Sequence, residues 1–142
     1  MSNYKLTEDL KNIVRLRAKN CCEYCLSQEQ FATQRFSIEH IFPVSKGGKT
    51  TLENLALACQ GCNNYKYNKT DEYEELSGQI VTLFNPRKDN WEAHFQWNNN
   101  YDLIIGITAK GRVSVKVLRL NRDGLVNLRR ILYPIGKHPP NI

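Results

Sequence analysis

Two paired-thiol turns, Cys22-Glu23-Tyr24-Cys25 and Cys59-Gln60-Gly61-Cys62, constrain this chain more than any other feature. Two residues between cysteines let both sulfurs reach one ion, and two such turns complete a tetrahedral site of the kind that holds structural zinc. Thirty-three residues separate Cys25 from Cys59, more than the roughly 15–20 that separate the pairs of a simple zinc ribbon. A metal bound by Cys22, Cys25, Cys59 and Cys62 would therefore clamp the two ends of an insert, and rigid support of that kind suits a functional site. Cys21 is left over and reads as a small buried apolar residue.

The compartment bears on this choice. No apolar run follows basic residues across Met1–Leu10, so no secretory leader is expected. No stretch of about 18 apolar residues is present, so no membrane span is expected. A cytoplasmic location follows as the default. There, paired thiols bind metals more often than they form structural disulfides.

At 142 residues the chain is long enough for one domain, or one domain with a short appendage. Its net charge is +6, and the excess is localised. Residues 1–100 carry 12 Lys and Arg against 12 Asp and Glu, whereas residues 101–142 carry 8 against 2. A localised basic excess is the expected footprint of phosphate contact.

Periodicity and capping predict the elements. Thr7 can cap a helix over about Glu8–Lys19, with Leu10, Ile13, Val14 and Arg17 at helical spacing. Residues 34–45 read as extended, Ser45–Lys49 as a glycine loop, and Thr51–Asn54 as a short turn. Leu55–Ala58 leads into the second thiol turn, and a helix should start near Asn63. Thr70 is expected to cap an acidic helix reaching about Leu76. A boundary is placed at Ser77-Gly78, giving residues 1–78 and an extension over 79–142. In the extension, Trp91–Trp97 reads as a short aromatic helix. Leu103–Thr108 and Arg112–Leu118 read as two strands around Lys110-Gly111. A last helix, capped by Asn121 or Asp123, turns Leu125, Leu128, Ile131 and Leu132 inward, and Gly136–Ile142 reads as a loose tail.

The insert holds Glu39-His40-Ile41-Phe42-Pro43, Gly47-Gly48 and Glu53-Asn54-Leu55, and Asn63 and Lys66 follow the second thiol pair. A neutral imidazole can take a proton from water near pH 7. Carboxylate and amide oxygens suit a hard divalent cation that keeps positions open for water and phosphate. These elements, in this order from about Arg17 to Thr70, resemble the HNH endonuclease family and its ββα-metal motif. The resemblance implies that His40 activates the attacking water. It implies that Asn54 braces the loop and helps orient that base. Glu39, where the family usually has Asp or His, and Asn63 would be the ligands of a catalytic Mg²⁺ or Mn²⁺. Lys66 would touch phosphate. Zinc should stay with the softer thiolates.

The expected fold class is therefore α+β: a zinc-stapled ββα-metal core followed by a small basic β-hairpin/helix unit. Alternation along the second predicted strand would project Lys116, with Arg112 and Arg119 close by. The following helix would add Arg122, Arg129 and Arg130. Together these residues form an expected clamp on DNA phosphates, with RNA as the other candidate partner. His94 and His138 lack partnered motifs and read as non-catalytic. The competing reading is a non-catalytic zinc module that binds nucleic acid.

Overall fold

Thr7 starts the first helix as its sequence suggests. Its hydroxyl accepts from the Leu10 amide at 3.2 Å, capping α1 (Glu8–Arg17). The helix stops at Arg17, two residues short of the expectation, because Lys19 and Asn20 turn into positive φ and lead the chain into Cys21. This computed structural model describes residues 5–141. The first four residues of the Met1–Leu10 segment, and Ile142 of the tail, lie outside the described residues.

The insert forms a short antiparallel hairpin. β1 (Ser37–His40) pairs with β2 (Leu55–Ala58), setting Ser37 opposite Ala58 and His40 opposite Leu55. β2 is buried along its whole length, as Leu-Ala-Leu-Ala in the middle of a core should be. Cys59 then caps α2 (Gln60–Lys66) through its own sulfur, which accepts from the Cys62 amide at 3.4 Å. This is the ββα order expected of the insert.

Beyond α2 the structure departs from the sequence reading at several points. The acidic segment after Thr70 is a strand, not a helix. β3 (Asp71–Glu74) pairs with β4 (Gln79–Thr82), with Gly78 at φ +69° in the turn. The run Gln79-Ile80-Val81-Thr82 supplies a pairing partner, and that long-range pairing outweighs a weak local helix preference. The segment Trp91–Trp97 is helical only as α3 (Trp91–His94) and continues as β5 (Phe95–Trp97). β5 pairs with β6 (Ile104–Gly106), so the partner of β6 comes from before it in the chain.

The predicted second strand over Arg112–Leu118 is the helix α4 (Ala109–Val117). Thr108 caps it, accepting from Gly111 N at 3.0 Å. Valines at every second position read as a strand, but α4 packs against β6 as well as β3 and β4, which buries Gly111, Val113 and Ser114, and the Ser114 hydroxyl accepts from Phe84 N at 2.8 Å. The last helix, α5 (Asp123–Leu132), forms where expected. Its cap is Arg122, while Asn121 instead bonds both backbone groups of Ile104. Leu125 and Leu132 point inward as predicted, but Ile131 is 66% exposed. The tail is docked at His138, whose Nε2 bonds Tyr101 O at 2.8 Å and whose ring meets Trp97 edge-on.

One hydrophobic cluster unites these parts. It joins Val14, Tyr24, Phe36, Leu55 and Leu57 to Phe84, Phe95, Ile104, Leu118 and Leu125. Trp91 Nε1 donates to Tyr24 O at 2.9 Å across the same contact. Among the described residues, no helix is long and apolar enough to cross a membrane.

Candidate active site

The four paired cysteines converge. All four are buried, and their sulfurs lie within 4.8 Å of one another. Cys25 Sγ and Cys59 Sγ are 3.7 Å apart. A disulfide would need about 2.05 Å, whereas a tetrahedron with Zn–S near 2.3 Å has S···S edges of about 3.8 Å. The quartet therefore fits zinc. Each knuckle also closes an N–H···S bond, from Cys25 N to Cys22 Sγ at 3.5 Å and from Cys62 N to Cys59 Sγ at 3.4 Å. Cys21 is buried and its thiol turns to Lys19 O at 3.4 Å, outside the quartet.

The hairpin ends at the catalytic candidate. His40 is the last residue of β1, and beyond it Ile41 N donates to Asn54 O at 2.9 Å. The Asn54 side chain ties the loop together. Its Oδ1 accepts from Phe42 N at 2.8 Å, and its Nδ2 donates to Phe42 O at 3.0 Å and Lys49 O at 2.9 Å. Gly48 is needed in this loop, because a Cβ there would sit 1.8 Å from Phe42 O. Thr50 follows, and its buried hydroxyl lies 2.8 Å from His40 Nε2. Burial, and then the nearby Lys66 ammonium, hold the imidazole below the usual histidine range, which favours its neutral form.

Neighbouring residues of a strand point to opposite faces. Glu39 accordingly sends its carboxylate inward while His40 borders a groove. One Glu39 oxygen accepts from the Tyr24 hydroxyl, and the other lies 3.1 Å from Lys66 Nζ. Lys66 is 2% exposed and also donates to Ile41 O at 2.7 Å. Burial pushes the Glu39 carboxyl up, against the downward pull of Lys66. Lys66 therefore holds the hairpin against α2, and its ammonium is not presented to phosphate as the sequence suggested.

His40, Glu39, Asn63, Pro43 and Tyr67 border the groove, which encloses about 410 Å³. Asn63 is half-buried on α2, with no side-chain hydrogen bond among the described residues. One amide and one carboxylate are the donor set of a Mg²⁺ or Mn²⁺ that keeps most of its sphere for water and phosphate. Both Glu39 oxygens are already engaged, by Tyr24 and by Lys66, so a cation held by Glu39 and Asn63 would have to share the carboxylate with them through its remaining lone pairs.

The expected basic clamp is dispersed. Arg129 is 4% exposed and donates to Leu120 O at 2.7 Å and Asp102 O at 3.0 Å, which makes it a core arginine. Arg130 pairs with Asp102 at 2.9 Å, and Arg112 pairs with Glu74 at 2.7 Å. Arg119 lies over the Tyr65 ring at 4.7 Å. Lys116 is exposed on α4. The clamp was drawn on a strand face, and a helix distributes the same residues around its axis. A second groove, of about 560 Å³, opens beside Phe42 and Asn54 and is edged by Lys69, Lys88 and Lys110. Of these, Lys110 is paired with Asp89.

Sequence reasoning missed Thr50 and Tyr24. No spacing rule links Thr50 to His40 ten residues away. Tyr24 sits inside the first thiol turn, where an aromatic residue was a signal of burial but not of a carboxylate partner.

Residues 22–76 match the HNH endonuclease family. Neither a curated protein nor a solved structure matches the chain. The matched segment, a little over a third of the chain, holds the thiol quartet, the β1–β2 hairpin ending at His40, and α2 with Asn63, and it is in this ββα segment that the chain is similar to HNH endonucleases.

Proposed function

We propose that this chain is an endonuclease that hydrolyses phosphodiester bonds of nucleic acid, with DNA as the first substrate to test and His40 as the general base. The observation that carries this reading is the placement of His40. Its Nε2 is held by Thr50 while its ring borders a groove shared with Asn63. With the proton on Nε2 donated to Thr50, Nδ1 is left to take a proton from water, a contribution of about 10²–10⁴-fold. Asn54 fixes the loop that carries this geometry. Asn63 and Glu39 would hold a Mg²⁺ or Mn²⁺, which when bound would stabilise charge on the phosphate. Cys22, Cys25, Cys59 and Cys62 would hold Zn²⁺ as a staple with no direct part in hydrolysis.

The test is plasmid nicking in Mg²⁺ or Mn²⁺. His40→Ala should abolish cutting and retain DNA binding, and equal nicking by wild type and variant would remove His40 as the base. The Glu39–Lys66 pair favours a second reading, because it already neutralises the carboxylate that a cation would use. In that reading the chain is a zinc-containing nucleic-acid-binding module without catalysis. It predicts binding and no nicking in any divalent metal.

A further inference from the structure

Arg122 belongs to the C-terminal part of the chain, yet its guanidinium reaches the thiol quartet. Nη2 lies 3.2 Å from Cys59 Sγ, and Nη1 lies 3.6 Å from Cys62 Sγ. Nη1 also donates to Leu118 O and Arg119 O, at 3.2 Å each. The ring of Tyr65, on α2, flanks the group at 5.7 Å from Arg122 Cζ.

The slot is shaped for this side chain. Gly61 lies between the two sulfur donors of the second knuckle. A Cβ at Gly61 would sit 2.4 Å from Arg122 Nη2 and 2.6 Å from Cζ. Only the absence of a side chain there lets the planar guanidinium lie against the knuckle.

Four thiolates around Zn²⁺ carry a net charge of −2, and here all four are buried. Buried charge is costly unless it is paired and hydrogen-bonded. The amides of Cys25 and Cys62 supply two N–H···S bonds. Among the described residues, Arg122 is the charged side chain that hydrogen-bonds the quartet. A guanidinium is a rigid fork that can serve two acceptors at once, whereas a lysine ammonium is a point charge.

We propose that Arg122 is an outer-sphere partner of the zinc centre: it donates to the metal-bound sulfurs of Cys59 and Cys62, retains the ion, and ties the C-terminal part of the chain to the knuckle. The proposal rests on the zinc assignment and is independent of the nuclease reading. Loss of such outer partners typically costs 10–100-fold in metal affinity.

The test follows zinc transfer from the full chain to a chromophoric chelator, after the zinc content of each purified protein has been measured. Arg122→Ala should release zinc at least about 10-fold faster than wild type. Arg122→Lys keeps the charge but not the fork, and should fall between the two. It also decides the question if the alanine variant does not fold. Arg119→Gln removes a charge over the same Tyr65 ring without touching a sulfur, and should release zinc as wild type does. Adding Gly61→Ala to Arg122→Ala should accelerate release little further, because the slot is then already empty. Equal rates in wild type and both Arg122 variants would overturn the proposal. So would an Arg119→Gln effect as large as that of Arg122→Ala, which would trace the change to net charge. A wild-type chain without zinc would instead remove the zinc assignment, and this inference with it.

Discussion

His40 owes its orientation to a hydroxyl ten residues away. Thr50 is buried, and among the described residues its hydroxyl has one hydrogen-bond partner, His40 Nε2 at 2.8 Å. Thr50→Val keeps the shape and removes that partner. The loss of one hydrogen bond of about 1–1.5 kcal/mol corresponds to a roughly 10-fold drop in single-turnover nicking rate. Zinc content and DNA affinity should stay at wild-type values, and an unchanged rate would show that Thr50 does not position the base. Tyr67 carries the opposite kind of signal. It ends α2 at φ 49° and ψ −116°, beside the groove, with 77% of its surface exposed. A backbone of this kind costs a non-glycine residue about 1–3 kcal/mol. Tyr67→Gly gives back part of that through extra freedom in the unfolded chain. The net expectation is a gain of about 1 kcal/mol in denaturant unfolding, and a loss of stability would show that Tyr67 packs rather than strains.

At the scale of elements, the buried Lys66–Glu39 pair fastens α2 to β1. Removing one partner of a buried pair leaves an uncompensated charge and typically costs 3–5 kcal/mol. Lys66→Met should therefore destabilise by about that amount. Glu39→Gln in the same chain should recover part of it, because the buried negative charge is then gone too. Urea unfolding of the two single variants and the double variant measures the coupling. Additive losses would mean that the two side chains do not act as a pair. Much at this scale was legible in the sequence. The thiol turns, the Thr7 cap, the extended segment before His40 and a helix near Asn63, which in the structure starts three residues earlier at Gln60, all follow from local chemistry. The β3–β4 hairpin and α4 did not, because Asp71–Glu74 and the alternating valines of 113–117 have weak local preferences. Their conformation was set by what they pack against.

For the whole molecule, ion pairs link segments distant in the chain. Glu74 meets Arg112 from α4, Asp102 meets Arg130, and Asp89 meets Lys110, while Asn98 and the Asn85 amide add local hydrogen bonds to Asp102 and Asp89. Hydrogen bonds, from Arg112 and from Asn98 respectively, hold the Glu74 and Asp102 carboxyls below the usual carboxylate range. Asp89 is also held low, its burial being outweighed by Asn85 N and Lys110. A depressed folded pKa contributes stability that is present above the unfolded value of about 4 and lost as pH falls through the folded value. Glu39, pushed up by burial, works in the opposite sense. Thermal stability should accordingly fall as the solution is acidified below about pH 4. Asp102→Asn should flatten that fall, which a melting series at several pH values would record. An unchanged slope would show that Asp102 is not among the groups responsible.

The sequence by itself determined the parts whose chemistry is local. Four cysteines at two short spacings can meet one tetrahedral ion, whose two thiol turns bracket a histidine and a carboxylate and are followed at once by the Asn63 amide. Only the tertiary structure decided how those donors are spent. Glu39 and Lys66 satisfy each other because the alternation of β1 sends the carboxylate into the core, where a buried charge needs a partner. Arg129 became a core arginine bonded to Leu120 O and Asp102 O, and Arg122 turned from an expected phosphate contact to the sulfurs, because the chain between α4 and α5 returns to the knuckle. The net charge of a segment is written in its composition, but which of its cations face solvent depends on where the chain returns, and that is a property of the packed whole.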